Sequence, residues 1–183
     1  MRMDVRQRKT AADVVSNYEE AELADILWKY GEERHSRRIA KEIIRRRKAR
    51  RVERTAELAE IVQAIVGPRF CQKSLARIFQ ALRIEANQEL ENLKSALHDA
   101  FQLLETGGRV VAISYHSLED RVVKESMRQG ASSKIRSGSK IIPDTVVEPF
   151  LKILTKKPVV AGNEEVRANS RSRSAKLRAA EKL

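Results

Sequence analysis

At Thr106-Gly107-Gly108 the chain changes period. Upstream, apolar residues recur three and four positions apart, the spacing of one helix face. Leu75, Ile78, Phe79 and Leu82, then Leu93, Leu97, Phe101 and Leu104, carry that pattern up to the glycines. Downstream, RVVAIS at 109–114 is a short β-branched run, which predicts a buried strand. Helix, glycine pair, strand and helix in sequence form one αβα unit of an open α/β sheet. The expectation is therefore an α/β fold, with about three strands in residues 106–183 behind a mostly helical block over 1–105.

The helical block punctuates itself. Thr10 with Asp13 reads as a capping box, and Asn17 with Glu20 repeats the spacing. Gly31 is placed to end the helix containing Leu23, Ile26 and Leu27, and Thr55 to cap one with Leu58, Ile61 and Val62. Gly67-Pro68 stops that helix, and the long pattern after it can break near Ala86–Asn87. Trp28 reads as core. Ser117 with Asp120 looks like the start of a helix, and 126–149 reads as a mobile loop rich in Gly, Ser and Lys at 129–140. FLKILT at 150–155 is a second strand. SAKLRAAE at 174–181 is a third strand or, by propensity, a helix.

Charge narrows the partner. The net charge is +12, and it sits in three blocks. Residues 34–54 are net +9, 121–157 net +6 and 167–183 net +5. Such a balance points to a polyanion, nucleic acid before membrane. Arg45, Arg46 and Arg47 lead the RRRKARR run, a candidate phosphate patch. Gln80, Arg83 and Asn87 fall at i, i+3 and i+7, so one helix face can present all three. No apolar run approaches the ~20 residues of a membrane helix, and MRMDVRQRKT lacks a signal-peptide core. The default setting is cytoplasmic. The single cysteine, Cys71, forms no internal disulfide, and His35, His98 and His116 are too scattered for a structural metal site.

Ligands of open α/β sheets bind beyond the C-terminal ends of strands. Ser114, Tyr115, His116 and Ser117 occupy that position after RVVAIS.

Several long motifs in order resemble the MraW/RsmH family of ribosomal RNA methyltransferases. They are MRMD at 1–4, TAADVV at 10–15, YGEER at 30–34, FQALRIEANQEL at 79–90, GGRVVAISYHSLEDRVVK at 107–124, LTKKPV at 154–159 and RSAKLRAAEKL at 173–183. Tyr115 stands where the family pattern has Phe, and Ser170 replaces a proline before the final strand. The resemblance implies the C-terminal part of a Rossmann-like class I methyltransferase sheet, with the helical block as an inserted substrate-recognition subdomain. It implies S-adenosylmethionine as cofactor and the exocyclic amine of a cytidine in small-subunit rRNA as acceptor. It begins inside the family pattern, so the glycine-rich S-adenosylmethionine loop is not among these residues. A complementary N-terminal half or chain is then the expected partner. On this resemblance Ser114, His116 and Asp120 are catalytic candidates. Ser117, Arg121, Gln80, Arg83, Asn87, Arg45, Arg46 and Arg47 are substrate-binding candidates. The competing assignment is a non-catalytic, basic RNA-binding remnant. A helical DNA-binding module lacks a helix-turn-helix signature.

Overall fold

The computed structural model describes residues 1, 3–4, 6–135 and 144–183. They form two compact units, Met1–Glu89 and Leu90–Leu183.

The first unit is helical: α1 (Ala11–Asn17), α2 (Glu20–Lys29), α3 (Ser36–Ala49), α4 (Thr55–Val66) and α5 (Pro68–Asn87). Its core is aliphatic. Leu23, Leu27, Ile39, Ile43, Ile78 and Leu82 are fully enclosed, and each such side chain contributes about 1.5–3 kcal/mol on burial. Thr10 caps α1: its Oγ accepts from Asp13 N at 3.2 Å, and Asp13 Oδ2 accepts from Thr10 N at 2.9 Å. The second box lies two residues beyond the expected pair. Asn17 is still helical, and Glu22 Oε2 accepts instead from Glu19 N at 2.9 Å. Thr55 is the first residue of α4 rather than its cap. There Glu57 Oε2 accepts from Glu53 N at 2.8 Å and Arg54 N at 2.9 Å, which leaves the Thr55 hydroxyl no capping task.

Gly31 does not supply the left-handed residue after α2; Glu32 does, at φ 52°. Glycine is required at 31 for space. A Cβ would lie 2.7 Å from Leu27 O and 2.8 Å from Arg77 O, so α2 and α5 meet backbone to backbone. Gly67 at φ 75° and Pro68 at the first position of α5 make the expected stop and restart. The break after α5 falls at Gln88, φ 51°. Trp28 is 60% exposed, contrary to the core expectation, because the buried stripe of α2 runs through Leu23, Ile26 and Leu27 and leaves position 28 outside it.

The second unit contains α6 (Glu89–Leu103), β1 (Arg109–Ser114), α7 (Ser117–Gly130), β2 (Lys134–Ile135), β3 (Thr145–Val146), β4 (Leu151–Ile153), β5 (Val159–Val160), α8 (Asn163–Ala168), a 3₁₀ turn (Ser170–Ser174) and β6 (Lys176–Lys182). The main sheet runs β1-β6-β4, with β5 also on β6. Its pairings are all antiparallel among the described residues. The RAAE stretch becomes strand despite its helix propensity because β6 is laddered on both edges, and tertiary pairing outweighs a weak local preference. Residues 126–130 of the expected loop complete α7, and β2 pairs with β3. Residues 136–143 of that loop lie outside the described residues.

Leu97, Phe101, Val123, Met127, Leu151 and Ala180 form the core of this unit, under α6 and α7. The register places Val110, Ala112 and Ser114 opposite Ala180, Arg178 and Lys176, on the face turned to that core. The other face carries Val111 and Ile113, which are 56% and 57% exposed. RVVAIS is thus buried on one face only, because among the described residues no element covers the other and β1 pairs along one edge.

Candidate substrate rim and basic helical face

The rim lies where β1 ends. Two glycines set β1 in place. Gly107, at φ 81°, donates its N–H to Lys182 O at 2.9 Å, and a Cβ on Gly108 would approach Glu105 O to 2.8 Å. Ser114 closes the strand, buried, with Oγ donating to Lys176 O at 3.4 Å.

His116, not Ser117, is the N-cap of α7. Its Nδ1 accepts from Glu119 N at 3.3 Å, and its Nε2 lies 3.2 Å from Glu119 Oε1. Glu119 Oε2 accepts from Tyr115 N at 3.0 Å. One carboxylate therefore ties the strand end to the first helical turn. This gives His116 a local structural task that its position in the sequence did not announce. Ser117, displaced to the first helical position, is exposed, as is Arg121.

Asp120 turns inward. It accepts from Arg178 Nε at 2.6 Å and Nη2 at 3.2 Å, and Lys176 Nζ stands 3.5 Å away. The hydrogen bonds from Arg178 hold its carboxyl below the ordinary carboxylate range, against the opposing effect of burial. Arg178 is itself 7% exposed. So Ser114 and Asp120 are joined through Lys176 at the strand end, while His116, two residues on from Ser114, is tied to Glu119 instead. Arg178 and Lys176 went unassigned in the sequence, although a readable signal existed. Alternate basic residues in a strand, followed by Ala180 in the core, put a charge on the inward face, and a buried charge requires a partner.

In the helical unit the expected polar face is consumed internally. Gln80 Nε2 donates to Tyr30 O at 3.0 Å, and Arg83 Nε donates to Glu89 Oε1 at 2.9 Å. Asn87 donates to Arg83 O at 2.7 Å and accepts from Met3 N at 2.7 Å. Gln80 and Asn87 thereby tie α5 to Tyr30 and Met3, while Arg83, paired with Glu89, keeps 43% of its side chain exposed.

The basic run divides in two. Arg47 Nη1 donates to Val15 O at 3.0 Å and Tyr18 O at 2.6 Å, satisfying carbonyls at the end of α1. It is removed from the phosphate patch. Arg45 and Arg46 stay at the surface and share Glu42, whose carboxyl they pull down to about 2 through hydrogen bonds. Arg38, Lys41, Arg45 and Lys48 line an open groove of about 590 Å³. Arg46, Arg50 and Arg51 line a second of about 360 Å³.

A sheet with a polar strand-end rim, in one chain with a basic helical unit, makes this a mixed α/β protein. The chain belongs to the MraW methylase family, whose model matches residues 1–183. It is similar to the ribosomal RNA small subunit methyltransferase H of Nostoc punctiforme, 48% identical over all of this chain and 55% of the relative. The enzymes of that name from Chloroherpeton thalassium and Carboxydothermus hydrogenoformans are 46% and 48% identical, again over all of this chain and over 58% and 60% of their own lengths. The chain thus spans little more than half of the curated relatives it matches. Among the described residues no helix is long and apolar enough to cross a membrane.

Proposed function

We propose that this chain is the acceptor-holding part of an S-adenosylmethionine-dependent methyltransferase acting, in the cytoplasm, on the exocyclic amine of a cytidine in small-subunit rRNA. The observation that carries the reading is the full-length family match to relatives named for rRNA methylation. The amine is a poor nucleophile because its lone pair is delocalised into the ring. The acceptor side must therefore hold the base, accept a hydrogen bond from the amine and fix the nitrogen for in-line attack. The base must also be unpaired or turned out of its stack.

His116 holds the base at the rim, and Ser114, buried with its Oγ on Lys176 O, positions the strand end beneath it. Asp120 is a positioning residue, fixing α7 against β6 through Arg178. Ser117 and Arg121 face the RNA strand, and Arg45 and Arg46 bind its phosphates from the α3 grooves.

The methyl donor is a different matter. Between β1 and α7 the chain reads Tyr-His, without glycine, and the Glu119 amide beyond it is taken by the His116 cap. These residues do not fit a cradle for S-adenosylmethionine. A complementary N-terminal segment or chain holds it in this proposal, and meets the open edge of β1 and the face carrying Val111 and Ile113.

The test joins the chain to the part of the Nostoc relative outside the matched stretch and follows labelled methyl transfer to small-subunit rRNA. Transfer is expected. No transfer with RNA binding retained would overturn the reading in favour of a non-catalytic RNA-binding protein. His116→Ala and His116→Asn separate chemistry from capping. Asn restores a cap worth about 1 kcal/mol, so kcat should stay low in both variants. Full kcat in His116→Asn would reduce His116 to a cap.

A further inference from the structure

We infer that Arg171 and Arg173 form a second RNA-phosphate clamp, set on the 3₁₀ turn that leads into β6; the inference rests on the reading that this chain acts on RNA.

The turn is rigid. Asn169 Oδ1 accepts from Arg171 N at 3.1 Å, and Asn169 O accepts both Ser172 N at 3.0 Å and Ser172 Oγ at 2.8 Å. Ala175 N then closes on Ser172 O at 2.9 Å. Ser172 is buried, so the arginines on either side of it are both turned to solvent. Among the described residues neither guanidinium forms an ion pair. They differ in this from Arg45 and Arg46, which share Glu42, and from Arg47, which is committed to two carbonyls.

A hydrogen-bonded turn needs no ordering of its backbone on binding, and the planar guanidinium fork matches a phosphate with two parallel hydrogen bonds. The location adds to the argument. Two residues after Ser174, Lys176 pairs directly with Ser114 in the β1–β6 register, and Ser114 Oγ donates to Lys176 O. The turn that carries the two arginines therefore leads directly into the end of β6 that pairs with the rim. Phosphates flanking a nucleotide held at the rim are the clamp's ligands. This also gives a role to the basic block over 167–183, of which the core pairing uses only part.

The experiment uses the 183-residue chain and a mixed-sequence single-stranded RNA oligonucleotide, with affinity followed across salt concentration. Each phosphate contact on a single strand adds about 0.7 to the log–log salt slope. Arg171→Gln/Arg173→Gln should therefore lower the slope by about 1.4 and weaken binding roughly 25-fold at 0.1 M salt. Arg171→Lys/Arg173→Lys should keep most of the slope. Lys94→Gln/Arg128→Gln, which removes the same charge from exposed helix positions of the same unit, should change it little. An unchanged slope in the Arg→Gln pair overturns the clamp, as does an equal loss in the Lys94/Arg128 control. Absence of any RNA binding by the chain overturns it too, while methyl transfer by the joined protein would leave the enzymatic reading standing.

Discussion

In Met1–Glu89 the large aliphatic side chains of five helices close on one another, whereas among the described residues of Leu90–Leu183 the large side chains that reach the same degree of enclosure are Met127 and Leu151. The second unit instead shows solvent a row of apolar groups, with Val111, Ile113 and Tyr115 on or just beyond β1 all more than half exposed. The polar candidates of the two units are used differently. The helical unit directs Gln80, Asn87 and Arg47 inward to backbone carbonyls, while the sheet unit keeps exposed Ser117, Arg121, Arg171 and Arg173 around a strand end. The difference teaches that one unit closes on aliphatic side chains, while the other sets a buried Arg178–Asp120 pair beside a smaller apolar core.

Removing that ion pair is the severest way to test the contrast. Arg178→Ala leaves Asp120 enclosed without its main partner, and breaking such a pair costs about 3–5 kcal/mol. Denaturant unfolding should show the sheet unit melting early while the helical signal of the first unit persists. A single concerted loss of both would break the comparison. Acid sharpens it. Because Arg178 lowers the folded-state value of Asp120, the pair adds stability at pH above the ordinary value of about 4, and that stability is lost as pH falls through the lowered folded value. The acid limb of a stability–pH profile should flatten in Arg178→Ala.

Gly31→Ala probes the other unit. The added methyl meets two carbonyl oxygens at 2.7 and 2.8 Å, so α2 and α5 must part, at about 1–3 kcal/mol. The helical transition should move and the sheet transition should not. The smallest effect on stability belongs to Ile113→Lys, within about 0.5 kcal/mol for a surface position. It should nonetheless suppress self-association in sedimentation runs, since an apolar face beside an open strand edge is an aggregation template. A large stability loss would mean that the face is covered after all.

What the sequence disclosed follows the range of the forces involved. Thr10 with Asp13, Gly67-Pro68 and the glycine pair before β1 act over three or four residues, and each stands where its spacing placed it. Local errors were small shifts of one or two residues, as at Thr55 and Ser117, whereas the larger ones concern groups whose partners lie far along the chain. Arg47 reads as a phosphate ligand until α1 brings Val15 O and Tyr18 O to it. RVVAIS reads as a buried strand, yet one face stays open, because apolar content does not record how many neighbours a strand has. His116 was singled out for chemistry, yet the turn makes it a cap as well. The rim was legible as a place, but its wiring through Arg178 was not, since that pairing joins residues 58 apart.

The strand order has a consequence for synthesis. β6 lies between β1 and β4, yet the ribosome makes it after both. The helical unit contains its own contacts and can consolidate as it emerges. β1 and β4 must wait, unpaired, until residues 176–182 arrive. Nascent chains should therefore pass through a stage in which a finished helical unit trails an unpaired β1, and chaperone capture should be greatest in that interval.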